Sequence, residues 1–399
     1  MQSTTTLEAW VFIPTRWLDG SHPIDQGKSQ TIMSRIRKTI AIDGSGLLNN
    51  RGISTYISNL VLGISSAHHQ YRILLICPAG VSKGRLIETG NNFYIKKFVY
   101  INQPIWEYVI LPLVAWINGA KMIHYTGNTG GVLLPRILNI KTIVTIHDVS
   151  YFKQNILMPD PKNLYQKIGK IYRRYNTPKI AKYSQAVITV SKFAKNDIVS
   201  ELMISKKKVH ITYNSISRSY LSDVDYSVKK NNILIVSGDS PQKNLKYCLQ
   251  CLNKIKKYII GWKIQIIGVS SVASDIPVEV IGTVGSELML DYYNKAKIVL
   301  IPSLYESFSL PVIEGMARGA IVVAANRGAI PEITCGNAIL YDPKDCNMQI
   351  KALKEAVIYS NNILQSNTYD SAVYAKRFNT ERQGSLTLKV YEDVFDSQC

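Results

Sequence analysis

At 399 residues, 46% hydrophobic and 19% charged with ordinary glycine and proline content, the chain is long enough for two domains of the usual ~100–200 residues and is neither fibrous nor disordered. Its formal net charge of +19 is lopsided: residues 1–200 hold 24 Lys and Arg against 9 Asp and Glu, and residues 201–399 hold 23 against 19. Such a one-sided basic half calls for a phosphate-rich partner, and with no paired Cys/His finger, aromatic RNP run or basic heptad helix, an anionic membrane face is expected rather than nucleic acid.

Residues 1–38 lack periodicity and read as an N-terminal extension outside the fold; they carry Glu8 and no early basic cluster, unlike a secretory signal. From residue 39, β-branched runs (KTIAID, YRILLIC, KMIHY, KTIVTIHD, QAVITVS, VHITY) alternate with longer helical patterns, as the βαβ units of a parallel sheet do. This predicts a first Rossmann-like domain over residues 39–216. The apolar run that starts at Tyr108 is interrupted by Pro112 and too short for the ~30 Å core of a bilayer, so membrane contact is expected to be peripheral. Residues 217–231 are polar and patternless and read as a linker. The alternation restarts with NILIVSG, KIQIIG, VEVIG, KIVLIPS, AIVVAA and AILYD, which predicts a second Rossmann-like domain over residues 232–375. In residues 376–399, Leu386, Val390 and Val394 fall near one face of a C-terminal helix. The fold class expected is therefore α/β, with two parallel sheets facing a cleft and ligands beyond the strand C-termini. Cysteines at 77, 248, 251, 335, 346 and 399 show no disulfide framework, which fits reduced thiols in a cytoplasmic setting. Cys248 and Cys251 lack the second pair of a zinc ribbon and read as buried helix thiols.

Chemistry is expected where these strands end. Gly44-Ser45-Gly46 lacks the third glycine of a dinucleotide fingerprint, and no acid ends the next strand to hold a ribose, which argues against a nicotinamide dehydrogenase. Gly52 opens the following helix and offers backbone N–H groups to a phosphate, although a loop glycine alone is an ordinary turn former. His147 and Asp148 end the strand TIVTIHD; a lone histidine is more often structural, but this pair emerges at the cleft. Lys243, at the end of the loop after the first strand of the second half, suits a diphosphate as a point charge. On its own it would be an exposed loop lysine. Asp223 and Asp225 imitate a metal-binding D-x-D, yet they lie in the linker rather than at a strand end and read as solvated charges.

The stretch PSLYESFSLPVIEGMARG, residues 302–319, is a strand end, a loop and a short helix with Pro311 in its first turn and Gly319 at its stop. Backbone N–H groups of Phe308, Ser309 and Leu310 would point at an anion from the helix N-terminus. Glu306 and Glu314 flank that point. Carboxylates beside an anion site are electrostatically poor unless they accept hydroxyl hydrogen bonds, so the pair describes a ribose or sugar next to a phosphate.

With AIVVAANRGAIPEITCGNAILYDPKD behind it, this stretch resembles the donor-binding region of family 4 retaining glycosyltransferases of the GT-B fold, with their E-x7-E signature. The likeness continues through Gly52, WEYVILP, TIHDVSYF, ITVSKFAKNDI, QKN and the C-terminal KRFNTERQGSLTLKVYEDV, over nearly all of residues 39–396. The resemblance implies a nucleotide sugar held mainly by the second domain, an acceptor held mainly by the first, and a last helix that crosses back. It implies that Glu314 accepts the ribose hydroxyls and Glu306 the donor-sugar hydroxyls. Lys243, with the backbone of Ser307, Phe308, Ser309 and Leu310, would neutralise the diphosphate with no metal or other cofactor. His147 would contact the donor sugar, with Gly52 and Asp148 at an acceptor or phosphate loop. The version IHDVSYF is similar to the bacterial mannosyltransferase-like branch of lipopolysaccharide O-chain and polysaccharide synthesis, which implies a GDP-sugar first, a UDP-sugar second, and a glycan or polyprenyl-diphosphate acceptor at the inner face of the cytoplasmic membrane. Three departures stand out: Ser307 and Ser309 where the family often has glycines, and Gln242 where it has an arginine, with Arg318 or Arg327 left to supply the missing charge. A GT-B sugar-nucleotide epimerase or a non-catalytic binding subunit are the alternatives.

Overall fold

The computed structural model describes residues 38–48, 52–82, 93–153, 164–362 and 364–397. Of the expected N-terminal extension, residues 1–37 lie outside the described residues. Among the described residues, seven parallel strands form a first sheet in the order β3-β2-β1-β4-β5-β6-β7. They are β1 (Thr39–Asp43), β2 (Arg72–Pro78), β3 (Phe93–Phe98), β4 (Ala120–Tyr125), β5 (Lys141–Thr145), β6 (Ala186–Thr189) and β7 (Val209–Ile211). Between them run α1 (Gly52–Ser66), α2 (Gln103–Ile105), α3 (Leu111–Ile117), α4 (Leu133–Ile137), α5 (Leu164–Tyr183) and α6 (Lys192–Leu202); a π-helical turn, Trp106–Ile110, joins α2 to α3. Successive strand residues point to opposite faces. Ile40 and Ile42 of β1 therefore share a core with Tyr56, Ile57 and Leu60 of α1, while Ala41 between them shares another with Trp106, Leu111 and Ala115. Covering both faces requires strands that are apolar throughout, which is why these runs do not alternate.

A second sheet of six parallel strands follows in the order β10-β9-β8-β11-β12-β13. Its strands are β8 (Lys230–Val236), β9 (Lys263–Ile267), β10 (Glu279–Gly282), β11 (Ala296–Ile301), β12 (Ile321–Ala325) and β13 (Ile339–Tyr341). The helices are α7 (Leu245–Asn253), α8 (Ser286–Lys295), α9 (Leu310–Ala317), α10 (Ile330–Thr334), α11 (Cys346–Asn362) and α12 (Leu364–Ala375), and α13 (Thr380–Asp396) closes the chain. In both sheets the strand order reverses, at β1 beside β4 and at β8 beside β11. Connections leave such a point in opposite directions and open a crevice beyond the strand C-termini.

The helix α13 packs on α1, and its Leu388, Tyr391 and Val394 join the core of the first sheet. Burying side chains of this size stabilises by roughly 1.5–3 kcal/mol each. The two helices touch through glycine: a Cβ on Gly63 would lie 1.9 Å from the Thr380 carbonyl oxygen, and one on Gly384 would lie 2.2 Å from the Gly63 carbonyl carbon.

The stretch expected as a featureless linker is sewn to the second domain. Tyr220 is buried, its ring meets Tyr293 edge-on at 5.8 Å, and Lys229 Nζ donates to the carbonyls of Tyr293 (3.1 Å) and Ala296 (2.7 Å). Its polar composition hid these contacts because they use backbone carbonyls, which carry no sequence signal. Asp225 accepts from Ser227 N at 2.9 Å in a surface turn, and Asp223 pairs with Lys376 at 3.5 Å. Cys248 and Cys251 are buried on α7, and burial pushes the Cys248 thiol up to about 12. No helix among the described residues is long and apolar enough to cross a membrane.

Candidate functional site

The reversal at β8 beside β11 brings together two loops far apart in sequence. Lys243, after β8, places Nζ 2.7 Å from Oε1 of Glu306, after β11, and Leu304 N donates to the Gln242 carbonyl at 2.7 Å. Their side chains retain 26% and 13% exposure, so the ion pair is shielded yet reachable from the crevice. Behind it, Ala329 N donates to the Glu306 carbonyl at 2.9 Å, and Gly328, at φ +61°, lets that backbone approach: a Cβ there would lie 2.2 Å from the same oxygen.

Beyond Glu306 the chain turns into α9. The Ser307 carbonyl accepts from Ser191 Oγ at 2.6 Å, and Phe308 is buried edge-on against Phe378 at 5.6 Å. Ser309, the N-cap, has φ +96° and ψ 82°, a backbone region that favours glycine, and its side chain caps nothing. Ser309 thus leaves the first N–H groups of α9 without a capping side chain of its own. Of thirteen side-chain atoms buried without a hydrogen-bond partner among the described residues, four, Ser237 Oγ, Gln242 Oε1, Ser303 Oγ and Ser309 Oγ, lie on the loops after β8 and β11. Buried polar groups are nearly always satisfied in native proteins, so four on two adjoining loops fit a place for a polar ligand.

Glu314 lies on α9 beside the Tyr293 hydroxyl. Burial raises its carboxyl to about 7, against the lowering influence of that hydroxyl. Arg318, one turn further, was expected as a spare cation for an anionic ligand and is not one. Its guanidinium donates to Asn294 Oδ1 (2.7 Å), the Ser222 carbonyl (2.8 Å) and the Tyr220 carbonyl (3.3 Å), which ties down the linker. Arg327 is engaged too, with Asp342 Oδ1 and the Asn326 carbonyl, both at 2.8 Å.

On the first domain, His147 follows β5 and is held on three sides. Its N–H donates to Asn128 Oδ1 at 2.6 Å, its ring Nε2 lies 2.9 Å from the Thr126 carbonyl, and the Tyr56 ring meets it edge-on at 4.6 Å. A carbonyl only accepts, so Nε2 carries the proton and Nδ1 is the acceptor end of the ring. Burial lowers the pKa of His147, against the opposing influence of the Thr126 carbonyl and Asp148, which favours the neutral ring. Asp148 accepts from Ser150 N (3.0 Å) and Ser150 Oγ (2.6 Å) and so shapes the next turn. Gly52 starts α1, exposed, with nothing within 4 Å of where a Cβ would stand. Gly44 N donates to the Ile76 carbonyl at 2.8 Å, which gives the first glycine turn a packing role.

A buried hydrogen-bond chain reaches this side from the last helix. Tyr391 OH lies 2.7 Å from His124 Nδ1, His124 Nε2 lies 2.7 Å from Thr145 Oγ1, and that hydroxyl lies 2.8 Å from Tyr56 OH. Sequence reading also passed over two buried carboxyls. Asp43 accepts from Ser45 N (2.9 Å) and Trp106 Nε1 (2.8 Å), and Glu107 accepts from Thr129 Oγ1 (2.6 Å), Gln103 Nε2 (2.5 Å) and Tyr172 OH. Burial raises both, Glu107 to about 7. The signal available was an acid inside an apolar run, since buried acids are rare without partners.

The family model described as Glycosyltransferase Family 4 matches residues 50–220, and that described as Glycosyl transferases group 1 matches residues 230–358. The chain is a glycosyltransferase of the family 4 and group 1 type. Over 364 residues this glycosyltransferase is 24% identical to an uncharacterized glycosyltransferase of Methanocaldococcus jannaschii, covering 86% of this chain and 95% of that one. It is also 24% identical, over 292 residues, to the O-antigen chain mannosyltransferase RfbU of Salmonella typhimurium, covering 70% of this chain and 77% of that one. The crystal structure of Anabaena HepE in complex with UDP and glucose has the same GT-B fold, with a TM-score of 0.64 at 15% identity over 89% of this chain and 99% of that chain.

Between the two domains of the glycosyltransferase runs a polar clasp beside the loop that carries Glu306. From α10, Glu332 accepts from the N–H groups of Lys192 (2.9 Å) and Phe193 (3.1 Å), capping α6 of the first domain with a negative charge at its positive end. Tyr305 OH donates to Asp197 Oδ2 at 2.8 Å, and Lys153 Nζ pairs with the same oxygen at 2.7 Å.

Proposed function

We propose that the enzyme transfers a sugar, mannose-type as the first reading, from a nucleoside diphosphate donor to a glycan or lipid-linked acceptor, with retention at the anomeric carbon. The observation that carries this is the Lys243–Glu306 pair beside the uncapped start of α9, ringed by unpartnered serine hydroxyls. Lys243 and the N–H groups from Ser307 to Leu310 take the diphosphate, which removes the need for a metal at the leaving group. Glu314 accepts the ribose hydroxyls and Glu306 those of the donor sugar. His147, neutral with Nδ1 available, contacts the donor sugar at the developing oxocarbenium centre.

In the reaction proposed, the acceptor hydroxyl oxygen bonds to the anomeric carbon from the face that the diphosphate leaves. The carbon–oxygen bond to the β-phosphate breaks, and a β-phosphate oxygen takes the hydroxyl proton. GDP-sugars are the first donor class, in line with the mannosyltransferase relative, and UDP-sugars the second, in line with the UDP complex of the structural neighbour. The basic first half suits an acceptor carried on a polyprenyl diphosphate at the inner membrane face, for cell-surface polysaccharide synthesis.

Calorimetric titration with GDP-, UDP- and ADP-sugars tests this reading. Binding of one class, with nucleoside diphosphate released only when lipid-linked acceptor is added, supports it. No binding at millimolar ligand sinks it.

A further inference from the structure

The helix α5 carries six basic residues and no acid. On it, Leu164, Ile168, Ile171 and Tyr175 are 56–71% exposed and recur at steps of four, three and four, one stripe of a helical surface. Lys167, Lys170, Arg173 and Arg174 interleave with that stripe. An exposed apolar stripe on a wholly basic helix is the pattern of a helix that lies in a lipid interface.

The neighbouring helix carries a second exposed apolar stripe, without basic residues of its own. Tyr172 OH of α5 donates to Glu107, and Asn176 Nδ2 donates to Tyr108 OH at 2.8 Å, so α5 packs beside the helix that runs from α2 through the π-turn into α3. That helix exposes Ile105, Val109, Leu113 and Trp116, at 36–52%. Leu133 and Ile137 of α4, which packs against α3, are 66% and 67% exposed. Trp116, half exposed, is the residue type that anchors at the headgroup level.

Charge decides what covers this face. Residues 93–183 hold thirteen Lys and Arg against three acids, Glu107, Asp148 and Asp160. Glu107 is fully buried and Asp148 is engaged by Ser150, so neither opposes an anion at the surface. A second copy would set like charge against like charge here.

We propose that this face of the first domain docks on an anionic lipid bilayer, with the apolar stripes of α5 and the α2–α3 helix in the headgroup region and the lysines and arginines over the lipid phosphates. This deepens the membrane contact read above by naming its surface, and it holds whichever sugar is transferred.

Flotation of the full chain with vesicles tests it, using phosphatidylcholine alone and phosphatidylcholine with phosphatidylglycerol in equal parts. Binding only to the anionic vesicles is expected, weakened about tenfold by Ile168→Gln with Ile171→Gln and about fivefold for each of Lys167→Gln and Lys170→Gln. All four residues belong to α5 of the first domain and not to the loops after β8 and β11, so nucleotide-sugar binding measured without lipid stays unchanged in the variants. Equal binding to both vesicle types, or variants that bind like the parent, would overturn the proposal. Self-association that the isoleucine variants abolish, without vesicle binding, would assign the face to a second copy instead. Loss of donor binding with vesicle binding intact sinks the transfer reading alone.

Discussion

Lys243 and Glu306 neutralise each other across the reversal of the second sheet, Nζ to Oε1 at 2.7 Å. In the proposed function, a diphosphate entering the crevice would compete with Glu306 for that ammonium. The carboxylate it frees would then be available to sugar hydroxyls, so the pair would couple the two halves of the donor.

Glu306→Gln should therefore lower turnover by about a hundredfold or more while raising affinity for the nucleoside diphosphate alone, because Lys243 loses its competitor. Lys243→Ala should weaken nucleoside diphosphate binding by about tenfold or more. Calorimetry on both variants separates these signs. Weaker nucleoside diphosphate binding in both would show that the pair acts only as a structural tie.

Ser309→Gly should stabilise the protein by about 1 kcal/mol, since φ +96° strains any side chain. Ser309→Ala keeps the strain and should leave the melting temperature below that of the glycine variant. Thermal unfolding of the three proteins checks the order.

Glu107 predicts a pH dependence. Burial raises its carboxyl from 4.5 in the unfolded chain to about 7 in the fold, so the folded state binds the extra proton. Stability is then greatest below about 4.5 as far as this group is concerned, and falls as pH rises toward 7, by on the order of 3 kcal/mol. Glu107→Gln keeps the shape and loses the titration. Denaturant unfolding from pH 5 to pH 8 should give a flatter profile for the variant; parallel profiles would reject the assignment.

Tyr391→Phe breaks the first link of the buried chain to Tyr56 and leaves His124 Nδ1 unpartnered. A loss of about 1–3 kcal/mol in stability is expected. If the chain positions His147 through Tyr56, turnover falls while nucleoside diphosphate affinity, which the proposed function assigns to the other domain, stays the same. A fall in affinity alone would contradict this.

Glu332→Ala removes the cap that the second domain places on α6. We expect about 1–2 kcal/mol lower stability and a wider domain separation in small-angle scattering, with Glu332→Gln partly restoring both.

Much of this was legible in the chain. Uninterrupted apolar runs between helical patterns imply parallel sheets, and a parallel sheet places His147, Lys243 and Glu306 at strand ends, where their residue types stood out. The ion pair was not legible, because it depends on β8 lying next to β11 across two intervening strands, and chain order conceals strand order. Arg318 shows the converse error: a cation near a loop looks available until its acceptors, mostly backbone carbonyls of the linker, are seen. Ser309 stands where the family resemblance implies a glycine, but only the dihedral angle says that a side chain there is strained. Glu107 went unremarked in the chain, because its partners arrive from α2, α5 and the residues after β4.

The glycine contact between Gly63 and Gly384 makes α13 a passenger of the domain it does not belong to by sequence. Any relative rotation of the two halves has to be absorbed where the chain passes between them, near Ser215 and Ile216 on the way out and Phe378 on the way back, which are already bonded through Ile216 N and the Phe378 carbonyl at 2.9 Å. A fluorophore at the end of α13 would thus ride with the first sheet, and paired with one on α11 it becomes a ruler for the opening angle of the enzyme.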